Sequence, residues 1–146
     1  MSEQRFLAFD LGAESGRGMV GTLASGRVAL EEIHRFPNEP VEVGGTLYWD
    51  VLALYGNILK GMAAYARRFG PRVAGVGIDT WAIDFGLLAR DGSLLQNPVC
   101  YRDRRTEGLP AVVADTIPRE ELYALTGLNL LGIETLCQLL AMRRQG

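Results

Sequence analysis

Apolar residues along the chain fall into short runs separated by glycine-rich turns, with one long helical stripe. Phe6-Leu7-Ala8-Phe9 is an uninterrupted apolar run that opens into Asp10-Leu11-Gly12. That is the pattern of a strand buried on both faces, ending in a glycine loop. Gly18 to Leu23 reads as a second strand, Ala24-Ser25-Gly26-Arg27 as a turn, and Val28 to Phe36 as a third strand. The connections are too short for parallel crossovers, so the three predict an antiparallel meander. Pro37 to Gly45 holds prolines, Asn38 and a glycine pair, and reads as a loop.

Asp50 then opens the strongest helical pattern. Val51, Leu54, Tyr55, Ile58, Met62, Ala66 and Phe69 recur every three or four residues on one predicted face. Arg67 and Arg68 suit the last turn, where cations complement the helix dipole, and Gly70-Pro71 stops it. Val73 to Ile78 is another strand of buried type, running into Asp79-Thr80-Trp81. Phe85 to Leu88 and Leu94-Leu95 flank an Asp91-Gly92 turn and predict a hairpin. Residues 97–118, with Pro98, Pro110 and Pro118, read as irregular. Pro118, Glu120 and Glu121 start a short helix that Gly127 closes. Thr135 to Arg144 predicts a final helix with Leu136, Leu139 and Leu140 inward. The order β-β-β-α-β differs from a Rossmann unit, which begins β-α-β. There is no internal repeat.

Composition narrows the classes. With 146 residues, 48% hydrophobic and 22% charged, the chain is globular in composition. No apolar run approaches the ~18 residues of a membrane span, and no basic-then-apolar leader follows Met1. The expectation is a cytoplasmic protein. A net charge of −2 argues against a general polyanion binder, so no nucleic-acid partner is expected. Cys100 and Cys137 match neither a CxxC pair nor a zinc site and read as small buried apolar residues. His34, the single histidine, has no partners for a triad or metal cluster and reads as structural. The eighteen glycines exceed the usual ~7% share.

Three segments could carry chemistry. In Asp10-Leu11-Gly12-Ala13-Glu14-Ser15-Gly16-Arg17, the glycines permit close backbone approach and successive N–H groups form a concavity suited to phosphate. Ser15 and Arg17 add donors, and Asp10, at a strand's carboxyl end, is placed to hold hydrated Mg²⁺. The same pattern also serves an ordinary hairpin turn. In Gly77 to Gly86, Asp79, Asp84 and Trp81 suit a sugar, whose hydroxyls donate to carboxylates and whose apolar face lies against an indole. The alternative there is a core tryptophan flanked by turn-capping aspartates. Tyr101-Arg102-Asp103-Arg104-Arg105-Thr106 could bind phosphate or nucleic acid, or form a salt-bridged loop.

Taken together, in this order and spacing, the three segments resemble the FGGY carbohydrate kinases, in their rhamnulokinase branch. The resemblance covers nearly the whole chain. It implies an α/β fold of actin-like ATPase, ribonuclease H-like type, opening β-β-β-α-β, with a mixed sheet and flanking helices. It implies phosphoryl transfer from ATP, with Mg²⁺, to a sugar hydroxyl, giving L-rhamnulose 1-phosphate from L-rhamnulose. By position, Ala13, Glu14, Ser15, Gly16 and Arg17 match the family's ATP-phosphate loop and Asp10 its Mg²⁺-associated aspartate. Ala82 matches a residue that contacts the sugar through its backbone, with Trp81 and Asp84 as neighbours. Glu14 departs from relatives that carry Ser, and Ala82 from relatives that carry Gly. Family members are much longer, and their catalytic base lies beyond the region matched. The expectation is therefore that residues 1–146 are an incomplete N-terminal kinase domain, truncated before the base and lacking a second actin-like domain. Such a piece is expected to be inactive alone and to leave a sheet edge open for self-association. The competing reading is a non-catalytic sugar- or phosphate-binding module.

Overall fold

The computed structural model describes residues 3–145, which divide into two compact units. The first comprises Met1–Glu39 and Asp50–Ala82, the second Pro40–Trp49 and Ile83–Gly146.

In the first unit, β1 (Gln4–Leu11), β2 (Ser15–Ala24) and β3 (Arg27–Pro37) form the expected antiparallel meander. After the helix α1 (Val51–Phe69), β6 (Gly75–Thr80) returns parallel to β1. The sheet order is β3-β2-β1-β6. β2 begins at Ser15, three residues earlier than its apolar content suggests, because Ser15, Gly16 and Arg17 already pair with Pro37, Phe36 and Arg35. The turn between β1 and β2 thus shrinks to Gly12-Ala13-Glu14. A bulge shifts the register between Gly18 and Met19, leaving Ile33 free to pack on the core.

The core holds Leu7, Phe9, Leu11, Val20 and Phe36 from the sheet, and Leu54 and Tyr65 from α1. Asp50 caps the helix, its Oδ1 accepting from the Ala53 N–H over 2.9 Å, and Gly70 closes it at φ 80°. The buried face of α1 is rotated from the expected one. Leu54, Gly61 and Tyr65 are buried, whereas Tyr55 and Met62 are exposed. The cause is a close approach: a Cβ on Gly61 would lie 2.5 Å from Phe9 Cε1, so the Phe9 ring seats over that glycine. β1 and β6 are not buried on both faces as their apolar runs suggest. Phe6 and Ala8 are exposed on one face. Val76 and Ile78 share the face of Leu7 and Phe9 by register, yet are 49% and 59% exposed. They lie on the edge strand, while α1 packs against β1, β2 and β3.

In the second unit, β4 (Val41–Val43) and β5 (Thr46–Tyr48) form a hairpin where a loop was expected. Gly44 and Gly45, at φ 59° and 84°, supply the two left-handed positions of a tight hairpin turn. The Asp91-Gly92 turn is present, but its arms join only by one bridge between Leu88 and Leu94. A short 3₁₀ turn, Arg104–Thr106, leads to α2 (Leu109–Thr116), α3 (Arg119–Thr126) and α4 (Thr135–Gln145). α2 falls in the stretch expected to be irregular: Pro110 sits in its first turn, where the missing N–H costs nothing. Leu109, Val113, Leu122, Leu130, Cys137 and Ala141 form the core of this unit. On α4 the buried residues are Cys137, Gln138 and Ala141; Leu140 packs partly buried against this core as expected, while Leu136 and Leu139 are exposed, contrary to expectation. Both cysteines are free and buried, as expected. No helix among the described residues is long and apolar enough to cross a membrane.

Candidate functional site

In the first unit the candidate chemistry collects where β1 and β6 end. Cross-strand partners point to the same face of a sheet. Arg35, Arg17, Asp10 and Asp79 are successive partners across β3, β2, β1 and β6, so four charged residues form one row. Arg17 donates through Nη2 to Asp10 Oδ2. Arg35 grips Glu32 with two bonds, Nε to Oε1 at 3.0 Å and Nη2 to Oε2 at 2.7 Å. This bidentate hydrogen bonding lowers the Glu32 carboxyl below its ordinary range and raises the Arg35 guanidinium. Open α/β sheets bind ligands beyond the carboxyl ends of their parallel strands, where Asp10 and Asp79 stand.

The turn after Asp10 is tightly built. The Gly12 N–H donates to the Ser15 carbonyl over 3.0 Å, and a Cβ on Gly12 would lie 2.8 Å from that same oxygen. Only glycine fits there. Asn38, 5% exposed, braces the turn from outside. Its Nδ2 donates to the Gly12 carbonyl over 2.8 Å, and its N–H donates to the Glu14 carbonyl over 3.0 Å. The Trp81 N–H donates to the Leu11 carbonyl over 3.2 Å, so the backbone following β6 joins the same loop. The Trp81 side chain packs on the first core. Asp10, the turn, Arg17 and Trp81 are therefore brought together. Asn38 joins them without having been singled out, and Asp79, expected with Trp81 and Asp84 in the sugar segment, comes to stand beside Asp10. Asn38 had only its place in a polar loop.

Asp84 belongs to the second unit, where its Oδ2 accepts from Trp49 Nε1 over 2.6 Å. The arginine segment is locked locally. Asp103 is buried and accepts from the N–H groups of Leu47 and Arg105, each over 2.8 Å. Arg105 donates to Gln138 Oε1 over 2.8 Å, and burial lowers its pKa from the usual guanidinium value. Among the described residues, no group of three or more His, Cys, Asp or Glu side chains gathers to hold a metal.

No family model matches the chain. It is 47% identical over 142 residues to the rhamnulokinase of Bacteroides thetaiotaomicron, a match covering 97% of this chain and 29% of that protein. It is 40% identical over 147 residues to the rhamnulokinase of Klebsiella pneumoniae strain 342, covering 99% of this chain and 30% of that protein. Among solved structures, gluconate kinase from Lactobacillus acidophilus superposes with a TM-score of 0.80 at 14% identity, over 97% of this chain and 28% of that one. Xylulose kinase from Rhodospirillum rubrum gives 0.80 at 18% identity, over 97% of this chain and 30% of that one.

The fold is thus the actin-like ATPase fold of the sugar kinases, a mixed α/β sheet with flanking helices. The chain is similar along nearly its whole length to rhamnulokinases, at 37–47% identity. It spans about 29% of the length of those relatives.

Proposed function

We propose that the chain is the N-terminal part of an ATP- and Mg²⁺-dependent kinase that phosphorylates L-rhamnulose to L-rhamnulose 1-phosphate in the cytoplasm. The observation that supports it most is the row ending at Asp10 and Asp79. It puts carboxylates at the ends of parallel strands, beside a turn with no room for a side chain at Gly12, in a chain 47% identical to a rhamnulokinase.

In this reading Ala13, Glu14, Ser15, Gly16 and Arg17 meet the nucleotide phosphates. Backbone N–H groups of the turn and the Arg17 fork offset their charge. Asp10 is the residue to hold Mg²⁺, a cation that keeps several waters and takes one or two carboxylates besides phosphate. The bound ion would neutralise charge on the transferred phosphoryl group. Ala82 contacts the sugar through its backbone, with Trp81 and Asp84 beside it in sequence. No residue of these 146 takes the part of catalytic base, so the chain by itself does not turn over. The open edge of β6, flanked by exposed Val76 and Ile78, suits self-association of the isolated chain.

The test is a coupled ADP-release assay with L-rhamnulose and Mg-ATP. The 146-residue chain gives no rate above the no-sugar control. Turnover appears when the C-terminal remainder of the Bacteroides relative is added. A steady rate from the chain alone overturns the inactivity. Sugar binding that the added remainder never converts to turnover favours a binding module instead.

A further inference from the structure

Gln138 is 1% exposed and sits on α4 among Cys137 and Ala141, where an apolar residue would suffice for packing. Burying an amide is costly unless its donors and acceptor are used. Here they are used, partly on the neighbouring Ile133 and partly on segments far away in sequence. Oε1 accepts from Arg105 Nη2 over 2.8 Å. Nε2 donates to the Ile133 carbonyl over 3.0 Å, and also lies 3.4 Å from the Ile83 carbonyl and 3.5 Å from Asp84 Oδ1. The other Asp84 oxygen accepts from the indole of Trp49, itself 1% exposed. The residue between Ala82 and Asp84 is the unusual one. Ile83 has φ 88°, a left-handed conformation that a β-branched side chain strongly disfavours. Such a residue persists only where its surroundings over-determine it, and these outliers cluster at functional sites.

We infer that Gln138 is a positioning residue, which with Trp49 clamps Asp84 and the Ile83 carbonyl and so fixes the strained turn directly after Ala82. The fixing of the turn stands on the second unit alone. Its consequence, a preset backbone for sugar contact at Ala82, rests on the kinase reading above.

The experiment is NMR on the 146-residue chain and its Gln138→Met variant, which keeps side-chain volume and removes every polar bond. The Trp49 indole N–H is expected to exchange with solvent about tenfold faster in the variant, the worth of one lost hydrogen bond. The Ile83 and Asp84 backbone resonances are expected to lose their single sharp form. The amides of α4 keep wild-type exchange. If the indole exchange is unchanged, or if the α4 amides accelerate by the same factor, the positioning role is overturned. Gln138→Glu is the second variant. It keeps an acceptor for Arg105 but has no N–H for Ile83 or Asp84 at neutral pH, so it shows the same local loosening.

Calorimetric titration with L-rhamnulose separates the two readings. A wild-type chain that binds the sugar, with affinity about tenfold weaker in Gln138→Met, supports both. Unchanged affinity beside a loosened turn overturns the link to sugar contact. A wild-type chain that binds no sugar counts against the sugar site in this chain and leaves the turn to the exchange data.

Discussion

Asn38 donates through its side-chain amide to the carbonyl of Gly12 over 2.8 Å, closing the turn that follows Asp10 from a strand end 26 residues away. Its own N–H fixes Glu14 at the same time. The turn is therefore held by a residue that is neither in it nor in a regular element. With its backbone carbonyls at Gly12 and Glu14 tied back, the turn is held in one shape.

Asn38→Ala is expected to cost about 1–3 kcal/mol, because the Gly12 carbonyl loses its partner in a part-buried setting. Urea unfolding measures this. The variant should also weaken ADP binding, since a turn that fluctuates must be ordered on binding. Wild-type stability in Asn38→Ala would show that the brace is incidental.

Two glycines on α1 give opposite expectations. A Cβ on Gly61 would sit 2.5 Å from Phe9 Cε1 and 3.0 Å from its Cζ, so Gly61→Ala overpacks the core and should destabilise by about 1–3 kcal/mol. A Cβ on Gly56 meets nothing within 4 Å, so Gly56→Ala should stabilise by about 0.5–1 kcal/mol through helix propensity. Parallel urea titrations of the two variants check the sign of each.

The same contrast explains what the sequence makes legible. The meander, α1 and β6 are written in apolar runs, caps and short connections, all local signals. Which face of α1 is buried is not local: Gly61 reads as a poor helix residue until Phe9 is known to lie over it. The Gly44-Gly45 hairpin hides in a stretch of Pro and Glu that looks like loop, and Pro110 masks a helix whose first turn it occupies. At the candidate site, Asp10, Ser15 and Arg17 are readable as a motif. Asp79 becomes a neighbour of Asp10 only through parallel register, and Asn38 of Gly12 only through a contact spanning 26 residues; in the second unit Gln138 meets Asp84 only across 54 residues. Periodicity carries no trace of such pairings.

The buried thiols set a pH dependence. Burial raises the pKa of Cys100 and Cys137 above the ordinary 9.0, with the carboxylates of Asp84 and Asp103 adding to it at Cys100 and that of Glu134 at Cys137. The folded pKa lies above the unfolded one, so this contribution is fully present below pH 9.0 and is lost as pH rises through the folded value. The chain should therefore lose stability between neutral pH and strongly alkaline pH. Urea midpoints at both ends check this. The double variant Cys100→Ala, Cys137→Ala should show a smaller loss. The native thiols should also resist Ellman's reagent until urea unfolds the chain.

Asp10 and Arg17 neutralise each other across β1 and β2, and that pairing predicts how charge should respond to substitution. Asp10→Asn leaves Arg17 without its anion at the mouth of the turn, so ADP free of metal should bind more tightly than to the wild type. The same change removes the carboxylate proposed to hold Mg²⁺, so Mg²⁺ should no longer strengthen ADP binding. Wild type and variant thus differ in opposite directions with and without the metal, which a mere loss of folding cannot imitate. Calorimetric titration of both chains with ADP, in Mg²⁺ and in EDTA, measures the two effects. Equal Mg²⁺ enhancement in the two proteins would remove Asp10 from the metal site. Absence of ADP binding to the wild-type chain would count against the phosphate loop at Ala13 to Arg17.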